Sequence, residues 1–244
     1  MEALGSLFYR LGDTFLPLCV LLLVLGTQEA DGAPGAFLWV MAGFGLAFLG
    51  QLLRVLTVGF TEISYGEETG GLYAERLIQD GLYAFLRNPL YLGNFLIGIG
   101  LLWLTHRPML VVCGALGLWA WTLLLVGAEE AYLEKRFKKA YTRYKKRVPR
   151  FLPHRKSPWK GLSPGRFETR RVLVKEADTA LAWTGTSCLM LARGYGEDLL
   201  RPSLLTILGA CLLMLSVTWR PFRLLLHRTK KEPLVPNPSK DYNF

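Results

Sequence analysis

The chain has 244 residues, of which 51% are hydrophobic, and a formal net charge of +10 at pH 7. The hydrophobic residues lie in long blocks rather than in amphipathic stripes, a pattern that excludes an ordinary soluble domain. The Lys and Arg residues lie beside these blocks, so anionic lipid headgroups explain the charge better than nucleic acid does.

Six apolar segments follow one another along the chain. Inside a bilayer the backbone must satisfy its own hydrogen bonds, so each segment should form a helix, and a crossing needs roughly 20 apolar residues. Only Thr105-His106-Arg107 separates the third segment from the fourth, which predicts a tight antiparallel hairpin. We therefore expect an all-α, polytopic transmembrane bundle of about six spans: 8–25, 36–60, 89–104, 108–128, 177–193 and 204–219.

The basic residues predict the orientation of this bundle. They are concentrated in 134–150, continue to Lys175, and return after Trp219. The positive-inside rule then places both termini and the segment 129–176 in the cytoplasm. The chain divides accordingly into an N-terminal hairpin, a central core, a basic linker, and a C-terminal hairpin with a basic tail: 1–60, 61–153, 154–176 and 177–244.

The first motif lies where the third apolar segment begins. Pro89 suits the first turn of a helix, and Asn88 stands at the N-cap position before it. The free N–H groups of such a helix start favour an anionic ligand, and Arg87 adds a positive charge there. An ordinary membrane interface, with Arg reaching the headgroups and Tyr in the aromatic belt, is the alternative interpretation.

The second motif is the pair Glu129-Glu130, which follows directly on the fourth apolar segment. Two acids at the C-terminal end of a helix oppose its dipole and need a cation or hydrogen-bond donors. Arg87 or the ammonium of an amino-acid-like ligand would supply them, and solvated acids offset by Lys135 and Arg136 are the alternative. A stripe at helical spacing then predicts an amphipathic interfacial helix: Leu133, Phe137, Ala140, Tyr141, Tyr144 and Val148.

Together the two motifs resemble the isoprenylcysteine carboxyl methyltransferase and phospholipid methyltransferase family of membrane enzymes. The resemblance covers about Tyr73 to Pro153, with one helical hairpin between the motifs. The first family element is matched by Gly81, Tyr83, Arg87-Asn88-Pro89, Tyr91 and Gly93. The second is matched by Glu129-Glu130, Leu133, Phe137, Tyr141, Tyr144, Val148-Pro149 and Pro153.

The resemblance implies S-adenosylmethionine as cofactor, bound in a cytoplasmic pocket, and a lipid, lipid-anchored or small apolar methyl acceptor. It implies an adenosine loop of Leu77, Ile78, Gly81 and Tyr83. It places Asn88, Tyr91 and Glu130 at the ribose and amino-acid portion, and Arg87 and Glu129 as catalytic residues nearest the reacting end. Glu75 and Asn88 stand where many members have histidine, which puts the prenylcysteine branch in doubt.

Other interpretations remain open at this point. A sterol-reductase-like NADPH-dependent oxidoreductase would share the Arg-x-Pro-x-Tyr-x-Gly element but usually lacks the glutamate pair. A non-catalytic membrane scaffold would use the basic segment for docking. Arg54, near Gln51 inside an apolar block, marks either a functional site or an Arg reaching lipid phosphate. The histidines show no metal-ligand spacing, so no metal is expected, and the oligomeric state is left open.

Overall fold

The computed structural model describes residues 20, 22–27, 36–61, 76–152, 167–194 and 203–229. Every regular element within these ranges is helical, which confirms the all-α class. A 3-10 turn, Gly81–Ala84, lies between the first two long helices, and the predicted segment 8–25 falls mostly outside the described residues. The long helices are α1 (Ala36–Phe60), α2 (Pro89–Trp103), α3 (Pro108–Arg147), α4 (Thr169–Gly194) and α5 (Leu204–Thr229).

Proline sets two of the helix starts. Pro89 and Pro108 both occupy the first turn of their helices, as predicted, because a first-turn residue needs no backbone N–H. The end of α3 and the start of α4 differ from the prediction. α3 does not end at Ala128 but continues to Arg147, since the Glu, Lys, Arg and Tyr residues that follow are all compatible with a helix. α4 likewise begins at Thr169, ahead of the predicted start at 177.

Two helices of the described residues are long and apolar enough to cross a membrane: Phe37–Phe60 and Pro108–Arg147. The stretches Pro89–Trp103 and Leu204–Trp219 are apolar but shorter. Large hydrophobic side chains on these helices are exposed, among them Leu38, Leu116 and Val217. The total of about six spans stays a prediction.

α1 and α2 pack closely because glycines face each other across the contact. A Cβ atom at Gly50 would lie 2.5 Å from the carbonyl oxygen of Gly93, and one at Gly100 would lie 2.5 Å from that of Gly43. Small residues of this kind let two helix backbones approach within a membrane. Gly93 and Gly100 therefore allow the close contact of α2 with α1.

α4 is joined to α1 by a buried ion pair. Arg54 donates from Nε to Oε2 of Glu176 at 2.7 Å and from Nη2 to Oε1 at 2.9 Å. Gln51 and Asn94 extend this network, at 3.3 Å to Glu176 Oε2 and 2.6 Å to Arg54 Nη1 respectively. Arg54 therefore pairs within the protein rather than with lipid phosphate. Its partner lies on the part of α4 that was predicted to precede the helix.

Candidate functional site

The chain reverses direction inside α3, at Lys138. The backbone there has φ 44° and ψ −119°, values far from those of a helix. A straight helix would separate Glu130 from Arg150 by about 30 Å. Their side chains instead lie 2.6 Å apart. α3 thus consists of a long arm, 108–137, and a returning arm, 139–147, that brings later residues back to the glutamate pair.

The predicted apolar stripe holds the two arms of α3 together. Tyr141, Tyr144 and Val148 are buried as one cluster, and Leu77, Leu133 and Phe137 pack against it. Ala140, which was predicted to share this face, is exposed. The expectation of one continuous amphipathic helix is therefore wrong, because the break at Lys138 divides the stripe between two arms. Leu77 joins the cluster as a packing residue.

The turn Gly81–Ala84 is positioned by two contacts from other parts of the chain. Gly81 is buried and has φ +56°, and a Cβ atom there would lie 2.5 Å from Oγ1 of Thr61 at the end of α1. The hydroxyl of Tyr144 donates a hydrogen bond of 2.7 Å to the carbonyl oxygen of Tyr83. Burial raises the pKa of the Tyr144 phenol, so the hydroxyl keeps the proton it donates. Ile78, the remaining residue of the predicted adenosine loop, is half-buried.

The carboxylate of Glu130 is the centre of the site. Asn88 donates from Nδ2 to Oε1 at 3.2 Å, and Arg87 Nη1 lies 3.2 Å from the same oxygen. Arg150 donates to both carboxylate oxygens, from Nε at 3.2 Å and from Nη2 at 2.6 Å. The predicted meeting of the Arg-Asn-Pro helix start with the glutamate pair is therefore seen. With only 5% of its side chain exposed, Glu130 is not a solvated acid.

Two details at this centre differ from the sequence prediction. Asn88 does occupy the N-cap position of α2, but its side chain makes no capping hydrogen bond and turns to Glu130 and the Arg150 carbonyl instead. Arg150 was not among the predicted site residues. The hydrogen bonds to Glu130 raise the pKa of its guanidinium further above the usual value, so Arg150 keeps its positive charge.

Glu129 has a different partner from its neighbour. The hydroxyl of Tyr91 forms a hydrogen bond with the Glu129 carboxylate. Successive helical residues point about 100° apart. The two adjacent acids therefore meet different donors, both supplied by the first turn of α2. The sequence prediction grouped Tyr91 with Asn88 and Glu130, whereas its hydroxyl contacts Glu129.

The guanidinium of Arg87 has hydrogen-bonding capacity left over. Its side chain is 10% exposed, and its Nε and Nη1 atoms are buried without a hydrogen-bond partner among the described residues. Nη1 is close enough to Glu130 for an ion pair but is not aligned for a hydrogen bond. Leaving a buried donor unsatisfied costs about 1–3 kcal/mol. An anionic or hydroxyl group of a ligand would remove this cost, so the residues fit the polar end of an amino-acid-bearing cofactor.

The described residues around Glu130 can be compared with the ligand sets that hold metal ions. No group of three or more His, Cys, Asp or Glu side chains is placed there to hold a metal ion. The donors and acceptors around Glu130 are guanidinium, amide and carboxylate groups, which recognise charged organic groups through hydrogen bonds.

Comparison with known sequences finds a family that is similar to the part of the chain around Glu130. The model of the phospholipid methyltransferase family matches residues 38–140. This segment of the chain, 38–140, is similar to that family and is called the family segment below. It contains α1 from its third residue onwards, all of α2 and the long arm of α3, and with them Arg87, Asn88 and both glutamates. Tyr141 and Tyr144 of the returning arm, and Arg150 just after it, lie beyond the family segment.

Several curated relatives share the same region of the chain. The protein-S-isoprenylcysteine O-methyltransferase of Schizosaccharomyces pombe is 30% identical over 118 residues, 46% of this chain and 48% of the relative. Protein-S-isoprenylcysteine O-methyltransferase B of Arabidopsis thaliana is 29% identical over 123 residues, which are 47% of this chain and 60% of the relative. The human enzyme of that name is 31% identical over 118 residues, covering 46% and 40%. The chain thus spans about half the length of the relatives it matches, and no solved structure matches it.

Proposed function

We propose that the chain is an S-adenosylmethionine-dependent methyltransferase of the membrane, acting on a lipid, lipid-anchored or small apolar acceptor at the cytoplasmic face. One observation carries the proposal. Inside the segment that is similar to a methyltransferase family, Arg87 and Asn88 converge on the buried carboxylate of Glu130. Residues 42 positions apart along the chain meet there in a way that hairpin packing alone does not require.

The chemistry of these residues suits the cofactor. S-adenosylmethionine supplies a methyl group on a positively charged sulfonium and carries a zwitterionic amino-acid end. Glu130 offers a carboxylate for the ammonium, and the unsatisfied N–H groups of Arg87 offer donors for an oxygen atom of a bound ligand. The turn at Gly81 and the Tyr83 backbone, fixed by Thr61 and Tyr144, form the loop assigned to the adenosine.

Methyl transfer makes few demands on the protein beyond alignment and the exclusion of water. It is an in-line displacement, so holding donor and acceptor in line and desolvating them supplies most of the acceleration. A carboxylate acceptor needs no strong base. An amine acceptor needs a group that takes a proton, and Glu129, held by Tyr91, is the residue we assign to that role.

The membrane placement in this proposal is multi-pass, with both termini in the cytoplasm. It is supported by the two long apolar helices and by their exposed hydrophobic side chains, a surface that soluble proteins rarely leave uncovered. The basic residues of the returning arm lie on the same side as the glutamate pair. The cofactor then enters from the cytoplasm and the acceptor laterally from the bilayer.

The relatives' names support a lipophilic acceptor without selecting one. They refer to isoprenylcysteine, and the matching family refers to phospholipid. Methylation assays with a prenylated cysteine and with phosphatidylethanolamine distinguish the two classes, because one offers a carboxylate and the other an amine.

Ligand binding by the purified full chain tests the proposal. We expect S-adenosylmethionine to raise the melting temperature and NADPH to leave it unchanged. Glu130→Gln should weaken binding of the methyl donor roughly 10- to 100-fold, because a neutral amide replaces the carboxylate that meets the ammonium. Glu134→Gln is the matched control, since Glu134 is half exposed and its only described ion pair, with Lys145, is on the surface.

Three results would count against the proposal. Stabilisation by NADPH alone would favour the reductase interpretation, and stabilisation by neither ligand would favour a scaffold. If Glu130→Gln inserts normally, keeps its melting temperature and binds the methyl donor as the unmodified protein does, Glu130 is not in the site.

A further inference from the structure

Arg150 is the residue of the site that is least explained by structure alone. It binds Glu130 through both oxygens, at 2.6 and 3.2 Å, in the forked geometry typical of an Arg–carboxylate pair. Yet 40% of its side chain is exposed, against 10% for Arg87 and 5% for Glu130. Its guanidinium thus lies at the open side of the site, while the carboxylate it holds is buried.

The backbone of Arg150 is fixed although its side chain is accessible. The Arg87 N–H donates to the carbonyl oxygen of Pro149 at 2.9 Å, and the Asn88 side chain approaches the carbonyl oxygen of Arg150 at 3.4 Å. The next residue, Phe151, packs on Trp119 with ring centroids 4.8 Å apart. The returning arm therefore delivers the guanidinium to one place, from which only its side-chain torsions are free to change.

The groups of an α-amino acid constrain where its binding residues lie. Two bonded carbon atoms, Cα and the carboxylate carbon, lie between the ammonium nitrogen and the carboxylate oxygens, so the nitrogen and the nearest oxygen are roughly 3 Å apart. A carboxylate that holds the ammonium must therefore have the carboxylate-binding cation directly beside it. Arg150 stands in that relation to Glu130 and already presents its fork to a carboxylate.

We infer that Arg150 binds the carboxylate of the cofactor's amino-acid end; this rests on the function proposed above. When the cofactor binds, its ammonium takes the place of the Arg150 guanidinium at Glu130, and Arg150 turns to the adjacent carboxylate of the cofactor. Every charge remains paired in both arrangements, so the exchange avoids the cost of leaving a charge unpaired. Arg87, more deeply buried, is left for the groups nearer the sulfonium.

Two ligands that differ only in the carboxylate test this inference. Dissociation constants for S-adenosylmethionine and for decarboxylated S-adenosylmethionine are measured by calorimetry with the full chain in nanodiscs. Arg150→Ala should weaken binding of S-adenosylmethionine roughly 10- to 100-fold and leave that of the decarboxylated ligand within about twofold. Arg150→Lys, which keeps the charge but not the fork, should fall between. Arg147→Ala, at an exposed Arg on the same arm, is the matched control.

The outcomes separate this inference from the proposed function. If Arg150→Ala weakens both ligands equally, Arg150 has only a structural role; if it weakens neither, the carboxylate is held elsewhere. Either result overturns the inference and leaves the proposed function standing. If the unmodified protein binds neither ligand, the proposed function fails and the inference fails with it. Retained affinity of Arg150→Ala for the decarboxylated ligand shows that this variant is folded.

Discussion

The buried pair Arg54–Glu176 gives a quantitative prediction about how α4 is held. Replacing Glu176 with Gln keeps the volume but leaves the Arg54 guanidinium without its counter-charge in a place where only 13% of its side chain is exposed. Unit charges about 4 Å apart at an effective dielectric constant of 20 interact by about 4 kcal/mol. Removing one partner of a buried pair costs about 3–5 kcal/mol. We expect the free energy of unfolding to fall by about 3 kcal/mol, because the amide keeps one hydrogen bond to Arg54.

The measurement is unfolding of the purified protein by a denaturing detergent, followed by circular dichroism, for Glu176→Gln, Arg54→Met and the double variant. The double variant should be more stable than the sum of the single effects implies, since it contains no unpaired charge. Glu168→Gln, at an exposed acid just before the same helix, should change stability by less than about 0.5 kcal/mol. A loss below about 0.5 kcal/mol in Glu176→Gln, or strictly additive effects in the double variant, would refute this account of how α4 docks.

Two further predictions concern backbone positions. Lys138→Gly should stabilise the protein by about 1 kcal/mol, because φ 44° with ψ −119° strains any residue that has a Cβ. Lys139→Gly, one residue into the returning arm, should destabilise it by about as much. Changes of the same sign in thermal unfolding of the two variants would contradict a strained reversal at Lys138. Gly81→Ala should lower stability by about 1–2 kcal/mol and weaken nucleoside binding, because the new Cβ would meet Thr61 and the backbone has a positive φ there. Gly117→Ala, where a Cβ would lie in open space, should be neutral. Equal nucleoside binding and equal melting temperature in the two variants would remove Gly81 from the adenosine loop.

Features that depend on local chemistry could be predicted from the sequence. The starts of α2 and α3 follow from Pro89 and Pro108, and the close contact of α1 with α2 follows from glycines at helical spacing. The meeting of Asn88 with Glu130 was predictable because a single helical hairpin lies between them and returns the chain to the end from which it started. In each case the residue type itself restricts the geometry.

Features that depend on a single long-range contact could not be predicted. Lysine has no preference for a positive φ, so the residue type at position 138 does not predict that the helix reverses direction there. Arg150 reaches Glu130 only through that reversal, and in the sequence it is one basic residue among many. Glu176 was missed for a related reason. The apolar pattern begins after it, so the sequence predicts too late a start for the helix that buries it.

Among the described residues, α2 contacts both the polar cluster around Glu130 and the buried pair Arg54–Glu176. Its first turn presents Asn88 and Tyr91 to the glutamates of α3, and Asn94, about one turn further on, contacts Arg54 of the α1–α4 pair. Because i and i+3 residues of a helix are neighbours, a displacement of α4 acts on α2 within one turn of Tyr91. The family segment therefore supplies the acids and their first donors. Residues beyond that segment contact the same helix: the Pro149 and Arg150 carbonyl groups lie at its start, and Glu176 of α4 reaches its second turn through Arg54 and Asn94.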